Sequence, residues 1–108
     1  MEATKRRAIV GAILMLQLAV AVAAELSPER KKKVFADSYP SCLNGAAISA
    51  PNLSVSTREA YCRCNSTKLA DLTDTEDIVY FNKYRRPSPH GQWVLETAAR
   101  TCADLYVK

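Results

Sequence analysis

The chain has 108 residues, which is enough for one domain at most. Its net charge of +4 is small and partly concentrated in the first seven residues, so it gives no argument for a nucleic-acid partner. Four cysteines can pair completely, and a single histidine narrows the catalytic constellations open to the chain.

The chain opens with a basic head, Met1-Glu2-Ala3-Thr4-Lys5-Arg6-Arg7. An apolar run from Ala8 to Ala24 follows, broken only by Gly11 and Gln17, and ends in Ala21-Val22-Ala23-Ala24. Basic head, apolar middle and small-residue exit read as a secretory signal peptide over residues 1–24, cleaved after Ala23 or Ala24. The rival reading is an uncleaved anchor. Seventeen residues lie at the lower limit for a bilayer span, and the alanine-rich end is weakly apolar. Losing Lys5, Arg6, Arg7 and Glu2 with the leader takes the net charge from +4 to +2. The mature domain is then 25–108, in the periplasm or outside the cell, where disulfides form.

Ser27-Pro28-Glu29 predicts a helix start: a capping serine, a first-turn proline, and an acid at the positive end of the dipole. The basic run Arg30 to Lys33 reads as a solvated face, with contact to an anionic membrane surface as the sharper alternative. Pro40 is expected to end or kink this helix, with Asn44-Gly45 as a later stop. Residues Ala46 to Val55, with Pro51, Asn52 and two serines, read mostly as loop. A central helix is predicted from about Thr57 to Leu72, capped by Ser56 with Glu59 completing a capping box. Thr73-Asp74-Thr75-Glu76 repeats that pattern and restarts a helix through Ile78, Val79, Tyr80, Phe81 and Tyr84, with a short strand as the alternative. Arg85-Arg86-Pro87 is a break, and Ser88-Pro89 caps a last helix running to about Tyr106. Its stripe is Val94, Ala98, Thr101, Cys102 and Leu105. Trp93, Tyr61, Tyr80, Phe81 and Tyr84 are core candidates, any surplus being a partner-binding patch.

The organising stretch is Tyr61-Cys62-Arg63-Cys64. On a helix, residues two apart are turned by about 200°, so the two thiols leave opposite sides of the cylinder. They cannot pair with each other and are badly placed to converge on one ion. They suit two different neighbours, those carrying Cys42 and Cys102. Either 42–62 with 64–102 or 42–64 with 62–102 satisfies the geometry. Each bridge is worth about 3–4 kcal/mol by loop-closure entropy. A four-sulfur zinc set of Cys42, Cys62, Cys64 and Cys102 lacks the usual paired Cys-x2–4-Cys spacing. A redox centre lacks the usual Cys-x-x-Cys.

The remaining chemistry is sparse. His90 sits in a helix first turn after a proline-rich break, where the expectation is an exposed, idle ring. Asp71, Asp74, Glu76 and Asp77 gather at a helix start, where dipole complementarity explains them, and they lack the glycine and spacing of a calcium loop. Asn52-Leu53-Ser54 and Asn65-Ser66-Thr67 match the glycosylation acceptor pattern, the second on the central helix.

Phe35, Cys42, Tyr61-Cys62-Arg63-Cys64, Thr75-Glu76-Asp77 and Cys102 together resemble small exported bacterial proteins of unassigned function. These carry a signal peptide, an aromatic before the first cysteine, a Tyr-Cys-x-Cys helix and a last cysteine near the C-terminus. The resemblance implies a helical, disulfide-stapled fold and a periplasmic or extracellular location. It supplies no activity and no functional residues. The segment Ala46 to Val55 and the prolines Pro87 and Pro89 are this chain's own.

The expectation is therefore an all-α, disulfide-stapled bundle of about four helices behind a signal peptide. Its function is that of a non-catalytic exported module that binds a protein partner, without cofactor, metal or nucleic acid. The alternatives are a thiol-redox or metal-binding protein using Cys62 and Cys64, and a membrane-anchored envelope component with an uncleaved N-terminal helix.

Overall fold

The computed structural model describes residues 25–107; the signal peptide read over residues 1–24 lies outside the described residues. Four helices follow one another: α1 (Pro28–Ser49), α2 (Val55–Leu72), α3 (Thr75–Tyr84) and α4 (Pro89–Tyr106). The described residues form an all-α, disulfide-stapled bundle, with α2 packed between α1 and α4.

The helix starts follow from local chemistry. Ser27 and Ser88 each accept a backbone N–H three residues on, from Arg30 and Gly91, and each is followed by a first-turn proline. Two other caps differ from the sequence expectation. Ser54, not Ser56, caps α2 by accepting the Thr57 N–H at 3.1 Å. The serines at 54 and 56 offer two caps half a turn apart, and the chain takes the earlier one. Asp74, not Thr73, caps α3, in a capping box whose N3 partner is Asp77. A carboxylate at each end accepts a charge-assisted bond that the Thr73–Glu76 pairing would supply only once.

The first helix runs further than expected. Pro40 neither ends it nor stops it short of Ser49, and Asn44-Gly45 lies within it. A proline removes one backbone bond, but Cys42, two residues on, is fastened to α2. The Ser38 and Ser41 hydroxyls also donate to the carbonyls of Val34, Phe35 and Asp37 around the gap. Tertiary fastening thus outweighs a local breaker. The loop expected over Ala46 to Val55 shrinks to residues 50–54.

The two bridges settle the pairing as Cys42–Cys62 and Cys64–Cys102, with Cα–Cα separations of 5.5 and 5.8 Å. Cys62 reaches α1 and Cys64 reaches α4, so the two sulfurs of the motif serve opposite neighbours. The buried side chains between the helices are small. On α2 they are Cys62, Ser66 and Ala70, and on α4 Val94, Ala98 and Cys102. Each set repeats at i, i+4, i+8 and forms one narrow seam. The hydroxyl of Ser66 is fully buried and has no hydrogen-bond partner among the described residues. Among the described residues Leu26 is the largest aliphatic side chain in the core. It lies beside a single antiparallel bridge between Glu25 and Asp74, which ties the lead into α1 to the start of α3.

Helices separated by alanine, cysteine, serine and one valine leave no room for rings, so the aromatic core anticipated from sequence does not form. Trp93 is 50% exposed and Phe81 47%, with Tyr84 similar, while Tyr61 and Tyr80 are half-buried. On α4 the stripe narrows as well: Leu105 is 62% exposed.

Two stability experiments test this account. Replacing Cys42 and Cys62 together by alanine lowers the unfolding free energy by about 3 kcal/mol, and replacing Cys64 and Cys102 by about 4 kcal/mol, because the second closes the longer loop. Urea denaturation of the two pairs checks the order. Gly45 lies inside a helix, and a Cβ there meets nothing within 4 Å. Gly45→Ala therefore raises stability by about 0.5–1 kcal/mol in the same measurement.

Candidate functional site

The functional features gather at the elbow where α3 follows α2 and α4 begins. Its organising group is Asp77, the N3 residue of α3. The capping box turns its side chain back toward the helix start, where Oδ2 accepts the Asp74 N–H at 3.0 Å. The break at Arg85-Arg86-Pro87 then returns the chain so that Ser88 and His90 meet the same carboxylate. The Ser88 hydroxyl donates to Asp77 Oδ1 at 2.6 Å, and His90 Nδ1 lies 2.7 Å from Oδ2. Asp74 Oδ2 stands 3.6 Å from the same ring nitrogen. One buried carboxylate thereby holds the N-terminus of α4 against that of α3.

Burial pushes the Asp77 carboxyl upward. The Ser88 hydroxyl, the Asp74 amide and the His90 ring outweigh it, and the pKa falls below its ordinary 3.8. The hydrogen bond to Asp77 raises the His90 imidazole above 6.5, against some desolvation and with help from the Asp77 and Asp74 charges. The ring is half-exposed and stacks on Trp93 at 5.6 Å between centroids. His90 is thus a structural partner, contrary to the idle ring expected from sequence. Dipole complementarity alone also fails to account for Asp77, which is buried and bonded across the elbow.

The arrangement shares the His–Asp half of a nucleophilic triad, but Ser88 is turned the other way. Its proton goes to Asp77 and its oxygen accepts the Gly91 N–H at 2.9 Å, so it caps α4 and does not face the imidazole. A Cβ at Gly91 would lie 3.1 Å from the Ser88 oxygen, close enough that the capping hydroxyl would have to shift by a few tenths of an ångström. Asp74, Asp77 and His90 bring ligand atoms within 4.8 Å of one another, the one such group among the described residues. The Asp77 oxygens already accept three donors, so a cation would have to displace the Nδ1 proton and break the clasp.

Next to the clasp lies an apolar groove of about 250 Å³ between α2, α3 and α4, lined by Leu69, Ile78, Phe81, Pro87, Val94 and Leu95. A second depression, about 290 Å³, lies under the α1–α2 turn by Ala46, Leu53 and Tyr61, with Arg58 on its lining. The large exposed side chains Phe81 and Leu95 belong to the first.

The sequence-predicted site residues are placed as follows. Cys42, Cys62, Cys64 and Cys102 are all in bridges, on two sides of α2, and present no shared thiol face. In the basic run, Lys31 pairs with Glu25 and Lys33 with Asp37. Asn52 is exposed on the α1–α2 turn, whereas Asn65 is half-buried on α2. Among the described residues no helix is long and apolar enough to cross a membrane. No protein-family model, curated protein or solved structure matches the chain.

The clasp has a pH signature of opposite sign at its two ends. Asp77 has a lowered folded pKa, so its contribution is present above about 4 and is lost as pH falls toward the folded value. His90 has a raised one, so its contribution is complete below about 6.5 and is lost as pH rises through the folded value. The stability gap between wild type and His90→Gln, measured by urea denaturation, is thus largest between those limits and closes on the alkaline side. An NMR titration placing the His90 pKa below 6.5 would contradict the clasp.

Proposed function

We propose that the chain is a non-catalytic exported module that acts by binding another protein through the α3–α4 face. Export is argued from two features: the leader pattern of residues 1–24 and the complete pairing of four cysteines, which needs an oxidising compartment. The observation that carries the binding reading is the exposure of Phe81 and Leu95 around an apolar groove. Phe81 stands out on α3 and Leu95 on α4, while the exposed Val79 and Tyr84 line a separate shallow depression along α3. Large apolar side chains grouped on the surface of a small domain mark an interaction site. A rigid scaffold presenting them lowers the ordering cost of association.

The reading also accounts for the bridges. They hold the bundle without help from large core side chains, which leaves the aromatic residues available at the surface. The resemblance to small exported four-cysteine proteins points the same way as to location.

Two measurements test the proposal. The intact mass of the protein recovered from the exported fraction should correspond to a start at Ala24 or Glu25 and should rise on reduction by two hydrogens per bridge. A photo-crosslinking side chain at position 81 or 95 should yield a discrete protein adduct in that fraction, whereas one at exposed position 32 should not. Equal labelling at all three positions would count against the face.

A further inference from the structure

Seen down its axis, α3 has two sides. Asp77, Ile78 and Phe81 turn toward α2 and α4, where they line the groove beside the clasp. The opposite side carries Thr75, Glu76, Val79, Tyr80, Lys83 and Tyr84, which line a shallow depression of about 260 Å³. No residue outside α3 lines it among the described residues. Successive helical residues are turned by about 100°, which puts Glu76 and Lys83 on the midline of that side. Val79 then stands on one flank, and Tyr80 with Tyr84 on the other, their rings 4.6 Å apart between centroids. Val79 is 60% exposed, and Glu76, Lys83 and Tyr84 are exposed with it.

The two charges on the midline have no partner of their own. Helical side chains meet at three or four residues apart. Glu76 finds Leu72, Thr73, Val79 and Tyr80 at those positions, and Lys83 finds Val79, Tyr80, Arg86 and Pro87. Neither charge joins an ion pair among the described residues. Lys83 Nζ lies 5.3 Å from the centroid of the Tyr84 ring, a contact that leaves its charge without an acid. Seven residues separate Glu76 from Lys83, about 10 Å along the axis, so they do not meet each other. The dipole favours an acid at the start of a helix and a cation at its end. It does not account for the exposed valine and the tyrosine pair between them.

A second copy of the same helix supplies what is missing. Let two copies of α3 run antiparallel, with a two-fold axis midway between Val79 and Tyr80. Each Glu76 then comes level with the second copy's Lys83, because positions 76 and 83 are equally far from that point. Val79 meets Val79 on one flank of the axis, and Tyr80 meets Tyr80 on the other. Such a contact uses one patch twice and closes on itself. A foreign partner would have to present base, apolar centre and acid in the matching order, whereas a second copy does so by symmetry. We propose that the chain forms a two-fold dimer through this side of α3, with two Glu76–Lys83 pairs bracketing the apolar centre. A ten-residue helix is about 15 Å long. Two of them in contact bury less than the ~1,200–2,000 Å² of a stable complex, which makes the dimer a weak one. The groove of Leu69, Ile78, Phe81 and Leu95 stays open on the far side of each α3. The dimer therefore presents two such grooves, and a partner with two matching segments binds it with added avidity.

Sedimentation equilibrium of the oxidised protein recovered from the exported fraction tests this, over about 10 µM to about 1 mM. Beside the wild type run Glu76→Lys, Lys83→Glu, the swap E76K/K83E, Val79→Asp and Leu95→Asp, each checked for a native helical circular-dichroism spectrum. All five change exposed side chains outside the clasp and the core. The wild type passes from monomer to dimer within the range, and added salt raises its midpoint. Glu76→Lys and Lys83→Glu each dimerise about tenfold or more weakly. Mixed in equal amounts they form a heterodimer, because one face then carries two lysines and the other two glutamates. The swap restores the wild-type midpoint. Val79→Asp loses the dimer and Leu95→Asp keeps it. A monomer at every concentration would overturn the proposal and leave the face to another kind of partner. A dimer that both charge reversals leave intact would overturn it too. So would reversals that neither the mixture nor the swap rescues, since the antiparallel register would then be wrong. A dimer lost in Leu95→Asp and kept in Val79→Asp would place the second copy in the groove and overturn it as well. None of these outcomes decides the crosslinking at positions 81 and 95, so the two readings fail separately.

Discussion

Everything in the bundle hangs on the angular separation of two sulfurs. Because Cys62 and Cys64 leave α2 on opposite sides, one helix is fastened to α1 and α4 at nearly the same height. The other two long helices are thereby set against one rod at about its midpoint. Had the residues been three or four apart, both thiols would have faced one neighbour, and the third helix would have needed apolar packing to find its place.

That covalent arrangement explains the unusual smallness of the core. The seam between α2 and α4 holds serine, alanine, cysteine and one valine. Burying such side chains removes little apolar area from water, at about 25 cal/mol per Å². Two bridges whose loops close 20 and 38 residues offset that shortfall. They also permit things a packed core would not. α1 continues through Pro40 because Cys42 is tied down just beyond it, and Ser66 sits buried without a hydrogen-bond partner among the described residues, which costs on the order of 1–3 kcal/mol. Close helices in turn leave Phe81, Tyr84 and Trp93 outside.

Much of this was legible in the sequence, and the reasons for the remainder are specific. The Ser-Pro starts at Ser27-Pro28 and Ser88-Pro89 place two helices to the residue, because cap and proline constrain the same turn from both sides. The other caps slip by one or two positions where neighbouring side chains compete for the role: Ser54 with Ser56, and Asp74 with Thr73. Helix propensity misjudges Pro40 and Gly45, since a local breaker carries no information about a bridge 20 residues away in sequence. The aromatic residues were assigned inward on hydrophobicity alone, which ignores how small the facing side chains are. The clasp escaped notice for a related reason. Asp77 and His90 lie 13 residues apart across a proline break, and each had a sufficient local explanation. The signal available was the Asp-x-x-Asp box at the start of one helix, with a histidine in the first turn of the next.

The two kinds of restraint are not spread evenly. Covalent bonds secure α1, α2 and α4, while α3 carries no cysteine and is positioned by the Asp77 network and by the Glu25–Asp74 bridge at its N-terminal end. Its C-terminal half, from Phe81 to Arg85, therefore lies furthest from these fixed points, and it carries the exposed Phe81 and Tyr84 with Lys83 and Arg85 beside them. A stapled body thus carries at its edge one helix that is held by hydrogen bonds at its N-terminal end and by no covalent bridge. The groups that hold it, Asp77 on α3 with Ser88 and His90 at the start of α4, lie at the opposite end of the short helix from Lys83 and Tyr84.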